Sequence, residues 1–398
     1  MTDSDTPTHP ALAGGPVYLD YNATTPIDPA VSAAMLPHLG ELFGNPSSGH
    51  RYAEEPRRAL AGAREQVATL IGARSREVVF TASGSEADLL ALRGAVLGAG
   101  RQRAHVITQA TEHPAILESC EALRRLHATA VTVLPVDADG LVEPDALAAA
   151  LDRGRDWDGI TLVSIMAANN ETGARQPIPE LAALAHERGA LVHCDAAQAL
   201  GKIPVDVTAW GVDLLTVVGH KMYAPKGAAA LYVRDGVVLE PLVYGGGQER
   251  GLRAGTENTA FAVALGVAAD LARADLAAGG PSRQARLRDN LHEQLRAALP
   301  GRVHLNGPRE RRLPNTLNVS IDGVRGHEVL ASAPGVAAST GSACHSGVHT
   351  PSPVLTAMGL DADRALAALR LSLGRWSSAA DIDMAAVELV KAVSAATG

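Results

Sequence analysis

The chain has 398 residues, 46% of them hydrophobic and 20% charged, with a formal net charge of −8. That is enough apolar material for a large core, and the acidic balance argues against a nucleic-acid binder, which would carry a basic face or stripe. No apolar run nears the ~20 residues of a membrane-spanning helix, and residues 1–14 lack the basic-then-apolar order of a secretory signal. A cytoplasmic protein is expected.

From Pro56 to Leu70 apolar positions recur at helical spacing and stop at Gly72. Glu77–Thr81 reads as a short buried strand, followed by the turn Ala82-Ser83-Gly84-Ser85 and a helix from Glu86 to about Val96. Strand-like runs recur at His105–Thr108, Ala130–Leu134, Gly159–Ile165, Ala190–Cys194, Leu214–Val218 and Ala228–Val233. Helical segments such as Ala115–His127 and Pro179–Arg188 lie between them. This alternation predicts an α/β fold with a mostly parallel sheet covered on both faces. From about Gly279 the pattern changes to an Arg-rich helix, strands and a terminal helix, which reads as a smaller α+β domain.

In open α/β sheets ligands bind beyond the carboxyl ends of the strands, so the residues just after each strand matter most. Ser83-Gly84-Ser85-Glu86 leaves a strand and opens a helix, where small residues and a helix N-terminus suit an anion; a plain N-cap by Ser83 or Ser85 is the alternative. His113, in Thr111-Glu112-His113-Pro114, could stack on a planar ring and exchange protons, or be a bystander. Asn170, in Asn169-Asn170-Glu171-Thr172-Gly173, could hydrogen-bond a ligand or serve an ordinary turn.

Asp195 and Lys221 each end an apolar strand. A carboxylate at such a position needs a cationic partner, and a protonated pyridine nitrogen is one. A lysine there, desolvated and with a lowered pKa, is suited to a Schiff base. A buried ion pair between the two is the alternative. Only three other lysines exist: Lys202 and Lys226, beside Gly and Pro in turns, and Lys391 on the last helix, all expected to be solvated. Gly245-Gly246-Gly247-Gln248-Glu249-Arg250, continuing to Gly255-Thr256-Glu257-Asn258, could form an anion-binding loop. Arg370 sits inside the apolar run Leu369-Arg370-Leu371-Ser372 and wants a carboxylate, of a substrate or of the protein. The three cysteines lack metal or redox spacing and are expected as free thiols. Cys194 has the apolar neighbours of a structural cysteine, whereas Cys344, in Ser339-Thr340-Gly341-Ser342-Ala343-Cys344-His345-Ser346-Gly347, has the small polar surroundings of a reactive one.

These residues, with Tyr18-Leu19-Asp20-Tyr21-Asn22-Ala23-Thr24-Thr25-Pro26, Gly44-Asn45-Pro46-Ser47-Ser48, Gly219-His220-Lys221 and Gly341-Ser342-Ala343-Cys344, make the chain resemble the group I cysteine desulfurases over nearly its whole length. The resemblance implies the aspartate-aminotransferase-like fold type I of pyridoxal 5'-phosphate (PLP) enzymes. Residues 30–275 would form the large PLP-binding domain around a seven-stranded mostly parallel sheet. Residues 1–29 and 276–398 would form the small domain carrying the Cys344 loop. By position, Lys221 would hold PLP covalently and then move protons, Asp195 would pair the ring nitrogen, and Gln198 the ring hydroxyl. His113 would stack on the ring, Gly84, Ser85 and His220 would hold the phosphate, and Thr256 would reach the phosphate of a neighbouring subunit in a homodimer. Asn170 and Arg370 would bind the carboxylate of L-cysteine, and Cys344 would take its sulfur as a persulfide for an acceptor protein such as an iron–sulfur scaffold, releasing alanine.

Three features depart from the family pattern. Val218 stands where a serine is usual, Ser85 where a threonine is usual, and Cys344 is followed by His345-Ser346 and later Pro351-Ser352-Pro353-Val354-Leu355. The residues after Cys344, with Val218 and Gly255-Thr256-Glu257-Asn258, resemble the selenocysteine lyase branch, so a selenocysteine lyase acting on L-selenocysteine is the alternative function, and an ordinary PLP aminotransferase a further one.

Overall fold

Strands form where β-branched and apolar residues run between turn signals, and the sheet decides how far each one extends. The computed structural model describes residues 8–100, 103–153, 159–341, 344–345 and 348–397, with the backbone alone for 344, 345, 348 and 349. A short strand β1 (Val17–Tyr18) precedes β2 (Val78–Thr81), β3 (Arg103–Gln109), β4 (Ala130–Leu134), β5 (Gly159–Ser164), β6 (Leu191–Asp195), β7 (Leu214–Val218) and β8 (Ala229–Val233). The last seven make one sheet in the order β2-β8-β7-β6-β5-β3-β4, antiparallel only where β8 meets its two neighbours. All five residues of β7 and of β8 are buried, as expected of strands covered on both faces. Two strands run beyond the ends that the sequence predicts. β3 is longer because Arg103 pairs with Gly159 and Gln109 with Leu134, and β6 runs on to Asp195 because Asp195 pairs with Thr216 of β7.

Helices Glu54–Ile71, Gly84–Gly98, Pro114–His127 and Ile178–His186 cover this sheet, close to the ranges their periodicity predicts. Val67, Ile107, Val163, Cys194 and Leu215 belong to its core. A second core gathers Leu287 and Leu291 of helix Gly280–Ala298 with Leu389 of the last helix, Ala379–Thr397. These pack on an antiparallel sheet of β9 (Val303–Leu305), β10 (Thr316–Ile321) and a late strand, Ala368–Ser372. Val17 and Leu19 join this second core, and Val17 of β1 pairs in parallel with Val336 of β11 (Val336–Ala337). Beyond Leu19 the chain crosses to the carboxyl ends of the large sheet, so residues 20–25 lie between the two cores. The hairpin β12 (Cys344–His345) and β13 (Val348–His349) follows, with Cys344 opposite His349; Ala368–Ser372 is then β14. No helix among the described residues is long and apolar enough to cross a membrane.

Candidate functional site

The strand ends of the large sheet converge on a cavity of ≈ 480 Å³, a volume suited to a small cofactor with an amino acid. Ser83, Gly84 and Ser85 reach it from the end of β2, His113 from β3, Asn170 from β5, Asp195 and Gln198 from β6, and His220 and Lys221 from β7; Arg370 enters from β14. Of the residues singled out in the sequence, Thr256 is exposed and does not line this cavity. Ser342, Ala343, Ser346 and Gly347 lie outside the described residues.

At one end, Ser83 caps helix Gly84–Gly98 by accepting a hydrogen bond from Glu86 N at 3.1 Å. The cap is therefore Ser83, and Ser85 sits in the first turn at the cavity wall. A Cβ on Gly84 would stand 2.7 Å from Val218 Cγ2. This glycine is needed for close packing against the valine that replaces the usual serine. His220 Nδ1 lies 3.2 Å from Thr24 Oγ1, and burial followed by Lys221 holds its pKa down at about 4. An imidazole held towards its neutral form still has one N–H to donate to a phosphate oxygen.

At the other end, Asp195 accepts from Ala197 N at 2.8 Å. Burial raises its pKa, while Ala197 N, His113 and Lys221 act the other way. Asp195 and Lys221 do not bond each other. The Lys221 amine donates to the carbonyls of Asn22 and Ala23, both at 2.8 Å. Burial, then Arg370, lowers its pKa to about 8, against the opposing pull of Asp195 and Asp20. His113 caps helix Pro114–His127 by accepting from Ala115 N on Nδ1, which leaves Nε2 for the cavity; burial lowers its pKa. Two further carboxyls crowd this end. Burial and then Asp195 push Glu112 up to about 8 and Asp88 well above the usual range, and Asp88 Oδ1 has no hydrogen-bond partner.

The protein itself supplies Arg370 with one carboxylate. Its Nη2 pairs with Asp20 Oδ1 at 2.7 Å, a protein carboxylate, but its buried Nε has no partner. A guanidinium with one edge occupied and another unpartnered at a cavity wall can still receive a carboxylate. The Arg370 backbone also pairs with Ser339, so the segment leading to Cys344 starts beside it. Gly341 (φ 80°) packs against Glu171, whose carboxyl accepts a hydrogen bond from Ser352 at 2.6 Å and is pushed up to about 7 by burial. The other two cysteines are buried and free. Burial pushes Cys120 up to about 12 and Cys194 well above the usual thiol range.

The lysine reading needs a correction. Lys226 and Lys391 are exposed, although Lys226 also lines the cavity, but Lys202 is only 7% exposed. Its amine donates to Gln198 Oε1 at 2.6 Å and to Asn22 Oδ1 at 3.3 Å. A neighbouring glycine and proline mark a turn, and here the turn is folded inward. The sequence reading also missed Asn22. Its Nδ2 donates to Asn170 O and Thr316 Oγ1, and its Oδ1 accepts from Asn315 and Lys202. The four-residue spacing of Gln198 and Lys202 was the only local signal.

Residues 17–384 match the Aminotransferase class-V family. The chain belongs to the class-V aminotransferase family. A cysteine desulfurase of Nostoc sp. is 45% identical over 369 residues, which are 92% of this chain and 90% of that one. The mitochondrial cysteine desulfurase of Drosophila melanogaster is 43% identical over 383 residues, 96% and 81% of the two chains. Among solved structures, a NifS-like protein shares the fold with a TM-score of 0.86 at 33% identity, covering 95% of this chain and 99% of that one. SspA, solved in complex with cysteine, gives a TM-score of 0.78 at 35% identity over 89% and 98%. The class-V aminotransferase fold here is PLP fold type I, and PLP is the cofactor of this family. The residues present fit it. A desolvated amine, a buried carboxylate without a cationic hydrogen-bond partner, and a helix N-terminus beside a neutral histidine face one cavity.

Proposed function

We propose that this class-V family enzyme is a cysteine desulfurase, which takes the sulfur of L-cysteine onto Cys344 and releases L-alanine. The observation that carries this reading concerns the three thiols. Cys120 and Cys194 are buried with their thiolates suppressed. Cys344 is the remaining cysteine, and its segment leaves the core between Arg370 and Glu171, at the cavity's edge.

PLP bound in the cavity supplies an aldehyde and a ring that withdraws electrons from the substrate's carbons. Lys221 would hold the cofactor through its amine and would hold or deliver a proton at Nζ, which a pKa of about 8 suits. The Asp195 carboxylate would pair with the ring nitrogen and keep it protonated. His113 would stack on the ring, Gln198 would serve the ring hydroxyl, and Gly84, Ser85 and His220 would hold the phosphate. Arg370 and Asn170 orient the substrate carboxylate. The Cys344 thiolate attacks the substrate sulfur, so an S–S bond forms as the Cβ–S bond breaks. The electron pair stays with the three-carbon fragment, which takes up a proton and leaves as alanine.

A homodimer is part of the proposal, because Thr256 can serve a phosphate only across a subunit boundary. Support comes from the exposed apolar side chains Leu36, Leu39, Phe43 and Tyr52, the last two with ring centroids 5.5 Å apart. Sedimentation of the PLP-loaded protein tests this, and a fully active monomer would refute it. The acceptor is proposed to be a second protein, such as an iron–sulfur scaffold, in the cytoplasm.

Product analysis tests the chemistry. Wild type and Cys344→Ser are incubated with L-cysteine and with L-selenocysteine, and alanine, persulfide and selenide are measured. The variant is expected to keep the cofactor's visible absorbance and to lose alanine formation from cysteine by at least about 100-fold. Undiminished alanine formation would remove Cys344 from the reaction. Turnover that requires a keto acid would turn the reading towards an aminotransferase.

A further inference from the structure

Lys202 is a buried lysine that none of the roles above uses. It follows Gln198 by four residues in the tight turn after β6, where Leu200 N bonds Ala196 O and Lys202 N bonds Ala199 O. This turn places both side chains on one face. The Lys202 amine reaches Gln198 Oε1 at 2.6 Å, with Asn22 Oδ1 as a second anchor at 3.3 Å. Gln198 Nε2 donates in turn to the carbonyl of Asn22 at 3.0 Å.

We propose that Lys202 is a positioning residue for the cofactor: it holds the carbonyl end of the Gln198 amide, so that Gln198 turns an N–H donor towards the cavity. The proposal rests on the PLP reading of the site and deepens it.

An isolated glutamine amide can face either way, because its oxygen and nitrogen ends are similar in shape. Here both ends are constrained independently. The Asn22 carbonyl can only accept, and so requires the NH2 end. The Lys202 amine lies against the other end and serves as donor. Of the two N–H bonds on Gln198 Nε2, one goes to Asn22 O and the second remains for whatever occupies the cavity. A ring hydroxyl or its anion is an acceptor that such a donor suits; a carbonyl turned towards it would repel the anion. Burial, then Lys221 and Arg370, push the Lys202 pKa well below the ordinary lysine range. The amine touches two acceptors, Gln198 Oε1 and Asn22 Oδ1, and has an N–H for each. Leucine or methionine would fill the same space without desolvating a polar group, so a lysine here is accounted for by the acceptors it serves.

The test compares four proteins freed of cofactor and titrated with PLP: wild type, Lys202→Met, Gln198→Ala and the double variant. The dissociation constant, the position of the visible absorbance band and the thermal midpoint of the free protein are measured for each. Lys202→Met is expected to weaken PLP binding about tenfold, equivalent to about 1.4 kcal/mol, and to shift the band. In the Gln198→Ala background the same change should cost less than about threefold. The proposal is overturned if Lys202→Met lowers only the thermal midpoint, leaving affinity and band unchanged, or if the tenfold loss persists without Gln198. Should Lys202→Met fail to fold, Lys202→Gln replaces it. Its amide can still donate, and it must recover the wild-type band for the proposal to stand. If wild type itself takes up no PLP, the cofactor reading fails, a result distinct from any outcome in the variants.

Discussion

The two sides of the cavity are built in different ways. The floor is made of side chains at strand ends, one from each of several strands: Ser85, His113, Asn170, Asp195 and Lys221. The other wall is the segment Asp20–Thr25, which works largely through its backbone. The Asn22 and Ala23 carbonyls hold the Lys221 amine, Asn22 O also takes Gln198, and Thr25 N donates to His220 O. Its side chains act on residues of the opposite wall, Asp20 on Arg370 and Thr24 on His220. In the proposed reaction the floor supplies the reactive groups, and the crossing segment bears on their orientation and proton affinity. Removing a floor residue should abolish chemistry, and changing the crossing segment should tune it.

The largest effect should come from the floor. Lys221→Ala is expected to eliminate the visible band of bound PLP and lower kcat/KM by more than about 1000-fold. A coloured, active variant would show that the amine at the end of β7 is not the reacting one. Arg370→Ala should raise KM for L-cysteine by about 10- to 100-fold, the worth of charge-assisted hydrogen bonds, with PLP still bound. An unchanged KM in steady-state kinetics would leave Arg370 as a partner of Asp20 alone.

Asp20→Asn probes the crossing segment directly. If Asp20 clamps Arg370, losing its charge should raise KM about fivefold, the scale of ~1 kcal/mol. A lower KM would instead make Asp20 a competitor of the substrate carboxylate. The smallest effect concerns Glu112. Its carboxyl pKa in the fold, about 8, exceeds the usual 4.5, so its contribution to stability is complete below about 4.5 and lost as pH rises through about 8. Glu112→Gln should change the thermal midpoint at pH 6 by a few degrees at most and reduce the fall between pH 6 and pH 9. The same fall in wild type and variant would mean that Glu112 is ionised throughout.

The large sheet and its floor residues were legible along the chain because each is a local event. A run such as Leu214–Val218 becomes a strand by its own composition, and the polar residue that follows it must lie at the strand's carboxyl end. Lys202 and Asn22 were not legible for the opposite reason. Nothing within a few residues of Lys202 says whether a turn faces water or folds inward, and its partner Asn22 is 180 positions away. Arg370 lay between these cases. Its apolar strand announced a need for a carboxylate, but not that Asp20, 350 positions earlier, meets part of that need.

By itself, the amino-acid sequence determined the alternation of strands and helices, and so the sheet, its site-bearing end and the amine and acid that stand there. Periodicity and strand termini are short-range properties. Only the tertiary structure decided which lysine is buried, which face of Gln198 meets the cavity and how Arg370 is shared. Desolvation and hydrogen-bond satisfaction depend on groups that the folded chain brings together from hundreds of residues apart.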